Sequence, residues 1–381
     1  MTTQASILFR DDIAGEERRF ADPAAIITAD DAGSFFPALE ALEQAHQAGK
    51  WLAGYFSYEA GYLLEPKLRP ILPPGRRVPL LNFGVFDKPR DTMPTPSRVS
   101  GETPVDNPRA LWRFEDYRAR FDRLHRHLRK GDCYQGNLTF PVAAQWRGDP
   151  TRAFDVLASR QPVRHGALVA LGGPIILSRS PELFFEVSAD GWIESLPMKG
   201  TARRGKTDAE DERLKQELAN DPKNQAENRM IVDLLRNDIS RISEVGTLSV
   251  PQLFHIESYA TLHQMVSRVR AKLLRRTGIS QIFAALFPCG SITGAPKIRA
   301  MEILNELEGA PRGAYCGSIG WIAPNGEMRF NVAIRTLTLF DGGEAIYNVG
   351  GGVVFDSTAE SEYRECLLKA RFVTGQEPAT N

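Results

Sequence analysis

Short apolar runs at strand spacing and longer segments with one polar face follow each other along the chain without strict alternation. ASILFR reads as a strand, and FFPALEALEQAHQAG as an amphipathic helix closed by Gly49. WLAGYFSYEAGYLL follows as strand and turn. From about Leu111 to about Phe372 the pattern is continuous. WRFEDYRARFDRLHRHLRKGD spaces its apolar residues as a helix does and stops at Gly131. YQGNLTFPVAAQ, GALVALGGPIILS, LFFEVSA and GWIESLPM read as strands, and AEDERLKQELANDPKNQAENRMIVDLLRNDISRIS as a helical block. LSVPQLFHIES, CGSIGWIA, MRFNVAIRTLTLF and AIYNVGGGVV add strands, interspersed with helices at ISQIFAALFP, APKIRAMEILNELEG and the C-terminal DSTAESEYRECLLKARF. Strands therefore cluster, which predicts an α+β fold with antiparallel sheets rather than a doubly wound parallel sheet. One stretch, KPRDTMPTPSRVSGETPVDNPRA, is rich in Pro, Ser and Thr and has no period. It predicts a linker or long surface loop over 88–110, between an N-terminal α+β portion (1–110) and a core over 111–373.

Composition narrows the function classes. The 381 residues can bury a large core, and the 42% apolar and 25% charged content is that of an ordinary globular chain. Lysine plus arginine equals aspartate plus glutamate at 47 each, so no net field points to nucleic acid or an anionic membrane. Cys133, Cys289, Cys316 and Cys366 are scattered without a CxxC pair, which argues for free thiols rather than a zinc site or disulfide scaffold. MTTQASILFRDD carries early acids and lacks the apolar run of a signal peptide. No apolar run reaches the ~20 residues of a membrane span. The expected location is cytoplasmic.

Several local patterns could carry chemistry. In the last helix Ser357 and Glu360 form a capping box that starts the helix near Thr358, and Glu362, Glu365 and Lys369 then share one face. That face is either a solvated ion-pair surface or, beside the glycines of NVGGGVV, a carboxylate pair suited to Mg²⁺. FPCGSITGAPKIRAMEIL sets Gly290, Ser291, Thr293 and Gly294 before a helix opening at Ala295 and Pro296, either an ordinary capped start or an anion cradle. Arg335 alternates with apolar neighbours on a strand, where a buried arginine needs a carboxylate from the protein or from a ligand. Glu182, between a proline turn and an apolar strand, is either a strand-edge charge or a carboxyl raised by burial into general-acid range. Glu227 heads the apolar MIVDLL run, and His263 sits among apolar residues as a satisfied core histidine would. Lys199, in SLPMKGTARRG, is either a surface charge or an amine aimed into a site.

Taken in order, GDCYQGNLTF, SRSPELF, PMKGTARRG, AENRMIVDLLRND, ESYATLHQMVS, FPCGSITGAPKIRAMEIL, RGAYCGSIGW, FNVAIRT, GGGVVFDS and EYRECLLKA resemble the chorismate-utilising enzymes. These include anthranilate, aminodeoxychorismate, isochorismate and salicylate synthases. The resemblance covers about Gly131 to Ala370; before that it is loose, carried by YFSYEAG. It implies two facing antiparallel sheets with helices outside, in intertwined subdomains of anthranilate-synthase type. It also implies chorismate as substrate and Mg²⁺ as cofactor. By position, Glu227, Glu362 and Glu365 match the metal-binding acids. Thr293, Tyr315, Arg335, Gly350, Gly351, Gly352 and Lys369 match residues that hold the substrate carboxylates. Glu182 matches the general acid at the C4 hydroxyl, and Gly200, Thr201 and His263 match residues lining the ring.

Two positions select among the family's reactions. Branches that add water at C2 carry a lysine base where this chain has Gln135, and an amide cannot take a proton from water near neutral pH. The anthranilate branch has a small residue where this chain has Lys199, whereas PMKGT matches the PIKGT of the aminodeoxychorismate branch. The resemblance therefore implies amination of chorismate at C4 through a lysine adduct at C2, on the route to p-aminobenzoate and folate. Ammonia would come free or from a separate glutamine amidotransferase, since the chain shows no candidate glutaminase. Anthranilate synthesis, or a silent chorismate-binding subunit, are the alternatives. The amine must be neutral to attack, and from an ordinary pKa of ~10.4 this costs about 4.6 kcal/mol at neutral pH. Mg²⁺, Arg203 and Arg204 are candidate cations to lower that cost, with Glu182 and Glu227 opposing them. Met198 for the usual isoleucine is a volume-tolerant swap, and Gly136 for the frequent valine loosens the strand beside Gln135.

Overall fold

The computed structural model describes residues 5–92, 104–259 and 262–380. Two large sheets organise it, and the α+β antiparallel prediction is borne out. At the centre of the first, the strands Gln135–Trp146 and Glu344–Val353 pair along their whole length. Thr336–Leu339, Ile175–Ser180, His165–Ala170, Ser6–Asp11 and Glu16–Ala21 continue that sheet to one side. The second sheet runs from Met198–Arg203 through Leu262–Lys272, Trp192–Ser195, Leu183–Val187, Met328–Val332 and Ser318–Ile322 to the N-terminal strands Trp51–Phe56, Leu81–Phe86 and Ala25–Ala29. The first 90 residues thus supply strands to both sheets.

Three apolar clusters explain the layering. Ile7, Phe20, Tyr55, Val169, Ile176 and Ile319 pack between the sheets. A second cluster seats the helices Phe114–Lys130, Pro150–Arg160 and Ala359–Ala370 on the outer face of the first sheet. The largest seats Ala32–Gln47, Pro222–Ser240 and Ile279–Leu286 on the second. Helix Phe114–Lys130 shows how sequence dictates this arrangement: Tyr117, Phe121, Leu124 and Leu128 form one buried stripe, and Gly131 ends the helix at φ 76°.

Five local predictions are corrected. MRFNVAIRTLTLF is not one strand: Met328–Val332 belongs to the second sheet and Thr336–Leu339 to the first, and the chain crosses between them at Ala333–Arg335. Arg335 takes φ 51° at this crossing, and its carbonyl accepts from Arg179 N–H. The 88–110 stretch is not all loop: Arg90–Thr92 pairs with Glu16–Ala21, and Val105–Ala110 pairs with Gln135–Trp146, while 93–103 lies outside the described residues. The helical block divides at Asp221, whose side chain caps Pro222–Ser240. The last helix is capped by Thr358, not Ser357, whose hydroxyl instead donates to Glu362 at 2.7 Å. Ala295 and Pro296 precede the next helix rather than opening it. Gly294–Ala295 pairs with Gln135–Gly136, and the helix starts at Lys297.

Candidate active site

A cleft of about 650 Å³ opens where the two sheets and the helices Pro222–Ser240 and Ala359–Ala370 converge. Lys199 reaches it by a specific backbone device. Met198 pairs with Val266 and Thr201 with Gln264, so Lys199 and Gly200 oppose only Met265 and form a bulge that re-aims the lysine side chain. Gly200 adopts φ 85°, and a side chain there would meet Asn224 at 2.8 Å. Gln264 locks the bulge, donating to Gly200 O at 2.7 Å and accepting from Thr201 at 3.0 Å. The Lys199 side chain is 19% exposed, and its Nζ lies 4.0 Å from Glu227 Oε2.

Glu182 enters from the turn before Leu183–Val187. It is buried, and Ser291 donates to its Oε1 at 2.8 Å. Burial raises its carboxyl to about 7, against the opposing pulls of Ser291 and Lys199. An acid that holds its proton near neutrality can protonate a leaving hydroxyl.

Opposite Lys199, Gly350–Gly352 lies on the strand Glu344–Val353, beneath the last helix. A side chain at Gly351 would approach Glu362 Oε2 to 2.9 Å, and one at Gly352 would lie 3.3 Å from Lys199 Nζ. The glycines therefore let three charged groups close over bare backbone. Lys369 donates to Gly350 O at 2.9 Å and pairs with Glu365 at 2.7 Å. Burial and the adjacent Glu365 raise Glu362. Burial also pushes Glu365 up, but Lys369, with Lys199 and Lys223, holds it net below the ordinary carboxylate range.

Glu227, Glu362 and Glu365 all line the cleft. Among the described residues no three acidic, histidine or cysteine side chains are already gathered at metal spacing. The donor set is all carboxylate, two of its members are adjacent and partly buried, and lysines now neutralise it. Those features fit a hard divalent ion that keeps part of its water shell.

Gly200, Thr201, Tyr315, Arg335, Gly350 and Gly352 line the same cleft. Arg335 has no ion-pair partner among the described residues, and desolvation lowers its guanidinium to about 10, so it is open to a ligand carboxylate. Three predicted residues do not line it, the first being Gly351, which is buried with its open side toward Glu362. His263 is fully buried between Ser258 and Asp211, at 2.8 and 3.0 Å, and does not line the cleft. Thr293 is buried, turns its hydroxyl onto Cys289 O at 3.1 Å, and does not line the cleft. Arg203 and Arg204 are likewise spent, on Glu210 and Asp211, and supply no charge beside Lys199.

Sequence reasoning missed Asn137, Asn224, Asn348, Lys223 and Gln264 on the cleft wall. Asparagine is poorly suited to strand interiors, so Asn137 and Asn348 inside apolar strands were a readable signal. Gln135 is fully buried, and neither its amide oxygen nor its nitrogen has a hydrogen-bond partner among the described residues. A separate cavity of about 490 Å³ near Arg10, Arg164 and Trp321 contains none of the predicted residues. All four cysteines are free and buried, and no helix among the described residues is long and apolar enough to cross a membrane.

This fold and cleft define a chorismate-binding enzyme: the family model so described matches residues 4–375, and the chain belongs to that family. Within it the chain is 42% identical over 262 residues to aminodeoxychorismate synthase component 1 of Klebsiella aerogenes and to that of Escherichia coli (strain K12). The aligned segment is 69% of this chain and 58% and 57% of those proteins, so the chain spans little more than half the length of these relatives. Anthranilate synthase component I from Streptococcus pneumoniae TIGR4 superposes with a TM-score of 0.78 at 25% identity, over 98% of this chain and 93% of that one.

Proposed function

We propose that the protein aminates chorismate at C4 with ammonia, giving 4-amino-4-deoxychorismate and water, with Lys199 as a covalent nucleophile. The observation that carries this reading is the bulge that turns Lys199 inward, to a cleft shared with a buried carboxyl titrating near 7. A neutral Lys199 amine attacks C2, the displaced ring electrons move toward C4, and the C4–O bond breaks. Glu182 gives its proton to the departing oxygen, which leaves as water. Ammonia then bonds to C4, the electrons run back, and the C2–N bond to Lys199 breaks. A proton from the new ammonium restores Glu182.

Arg335, Tyr315 and Lys369 orient the substrate carboxylates, and Gly350–Gly352 admits them close to backbone. Held by Glu227, Glu362 and Glu365, Mg²⁺ would pair with the ring carboxylate and withdraw charge from the ring. Sequence similarity to two aminodeoxychorismate synthase components supports the choice of reaction, and a separate glutamine amidotransferase is the proposed ammonia source. Incubation of the pure protein with chorismate, Mg²⁺ and ammonium, with and without an added lyase, tests it by product mass. Aminodeoxychorismate is expected; fluorescent anthranilate as the sole product overturns the reading.

A further inference from the structure

The proposed acid accepts from a hydroxyl, and that hydroxyl sits on a short buried turn, Gly290–Ile292. Behind this turn lies a buried ion pair that the chemistry above does not use. Glu308 ends the helix Lys297–Glu308, and Arg312 follows after Gly309 turns the chain at φ 64°. The Arg312 guanidinium forks onto Glu308 with bonds of 2.8 and 2.7 Å. Its remaining donors reach two backbone carbonyls, Ile292 O at 2.9 Å and Asn137 O at 2.7 Å. Glu308 also accepts from Thr139 N–H at 3.0 Å, and the guanidinium lies 4.2 Å over the Tyr58 ring. Both side chains are at least nine-tenths buried.

The two carbonyls belong to neighbouring segments of the cleft wall. Ile292 follows Ser291 directly, and Asn137 lies on the strand Gln135–Trp146, where its N–H donates to Thr293 O at 2.9 Å. Arg312 and that backbone bond together close a ring that fixes the turn against the strand. A lysine cannot reproduce this, since it lacks the planar fork that serves a carboxylate and two carbonyls at once.

We propose that Arg312 and Glu308 are a positioning pair for the reaction, holding the Ser291 turn where its hydroxyl meets Glu182. This rests on the reading of Glu182 as the acid. Neither residue touches the cleft, so their removal acts on the rate of the chemical step more than on substrate affinity. Misplacement of a catalytic partner by about an ångström costs roughly a hundredfold in rate.

Arg312→Lys, and the charge-free pair Arg312→Met with Glu308→Leu, test it in the full chain, with thermal melting to establish which variants fold. Chorismate consumption is followed whatever the product, so that product identity judges the proposed function and consumption kinetics judge the clamp. A folded variant should lose at least about tenfold in kcat with KM changed less than about threefold. Ser291→Ala added to that variant should cost less than about twofold more, because the hydroxyl is already displaced. Retention of kcat within twofold, a loss confined to KM, or a full multiplicative loss on adding Ser291→Ala overturns the proposal. Should both clamp variants unfold, Glu308→Gln, whose amide nitrogen cannot accept and so breaks one bond of the fork, is read by the same criteria.

Discussion

Ser291 donates to Glu182 across 2.8 Å, and both residues are buried. The bond favours the carboxylate, burial favours the acid, and burial wins, leaving the group near 7. Activity that needs the protonated acid should be full below that pH and fall as pH rises through it. Ser291→Ala removes the interaction that favours the anion, so the falling limb should move upward by about one unit. Profiles of kcat/KM against pH check this; a limb displaced downward contradicts the assigned roles.

The same burial has a thermodynamic consequence. Burial holds Glu182 at about 7 in the folded state against an ordinary glutamate value of 4.5, so between these pH values the folded state binds the extra proton. Stability contributed by the neutral carboxyl is fully present at low pH and declines as pH climbs through the window. Above it, ionisation in the buried site costs on the order of 3 kcal/mol. Glu182→Gln removes that cost, so it should melt higher than the parent at pH 8 and nearly equal to it at pH 4.5. Its turnover should fall roughly 10²- to 10⁴-fold. Equal melting differences at both pH values would show that the carboxyl is not held neutral by its surroundings.

Lys199→Ala leaves the bulge intact, since Gly200 and Gln264 define it. Formation of aminodeoxychorismate should drop at least about a thousandfold, the scale of losing a covalent nucleophile. Slow anthranilate formation should appear instead, because direct attack at C2 by ammonia no longer competes with the lysine. Product mass and fluorescence read the two outcomes, and full aminodeoxychorismate activity in this variant rules out the adduct.

The helix faces and most strands were legible because their apolar spacing is unambiguous, as in Tyr117, Phe121, Leu124 and Leu128. The strand Leu262–Lys272 was not, since its inward positions include the polar His263 and Ser267 and break the alternation. The crossing at Arg335 is invisible locally: Ala333, Ile334 and Thr336 suit a strand, and tertiary bonds, such as Cys316 N–H to Ala333 O at 2.9 Å, impose the break. Lys199 was found by its motif, but its direction follows from a register shift against a strand 63 residues away in the pairing of Thr201 with Gln264. Arg203 and Arg204 looked useful by sequence proximity alone. Their partners come from the helix Asp208–Ala219, which takes them out of the cleft.

The last helix offers a test of the metal assignment that charge counting alone would fail. Glu362 and Glu365 face the cleft, whereas Glu360 is exposed and lies 3.9 Å from Arg118 on the opposite surface. Glu365→Gln should raise the Mg²⁺ concentration for half-saturation roughly 10- to 100-fold, as removal of metal-site partners does. Glu360→Gln, an equal change in helix charge, should leave it unaltered. Because burial and Glu365 raise Glu362, lowering the pH protonates Glu362 early, and Mg²⁺ affinity should weaken before ordinary carboxylates titrate. Calorimetric Mg²⁺ titrations at several pH values read this without turnover. Chelation should abolish chorismate consumption and added Mg²⁺ restore it; equal weakening by Glu360→Gln and Glu365→Gln would reduce the effect to general electrostatics and remove the metal from this cleft.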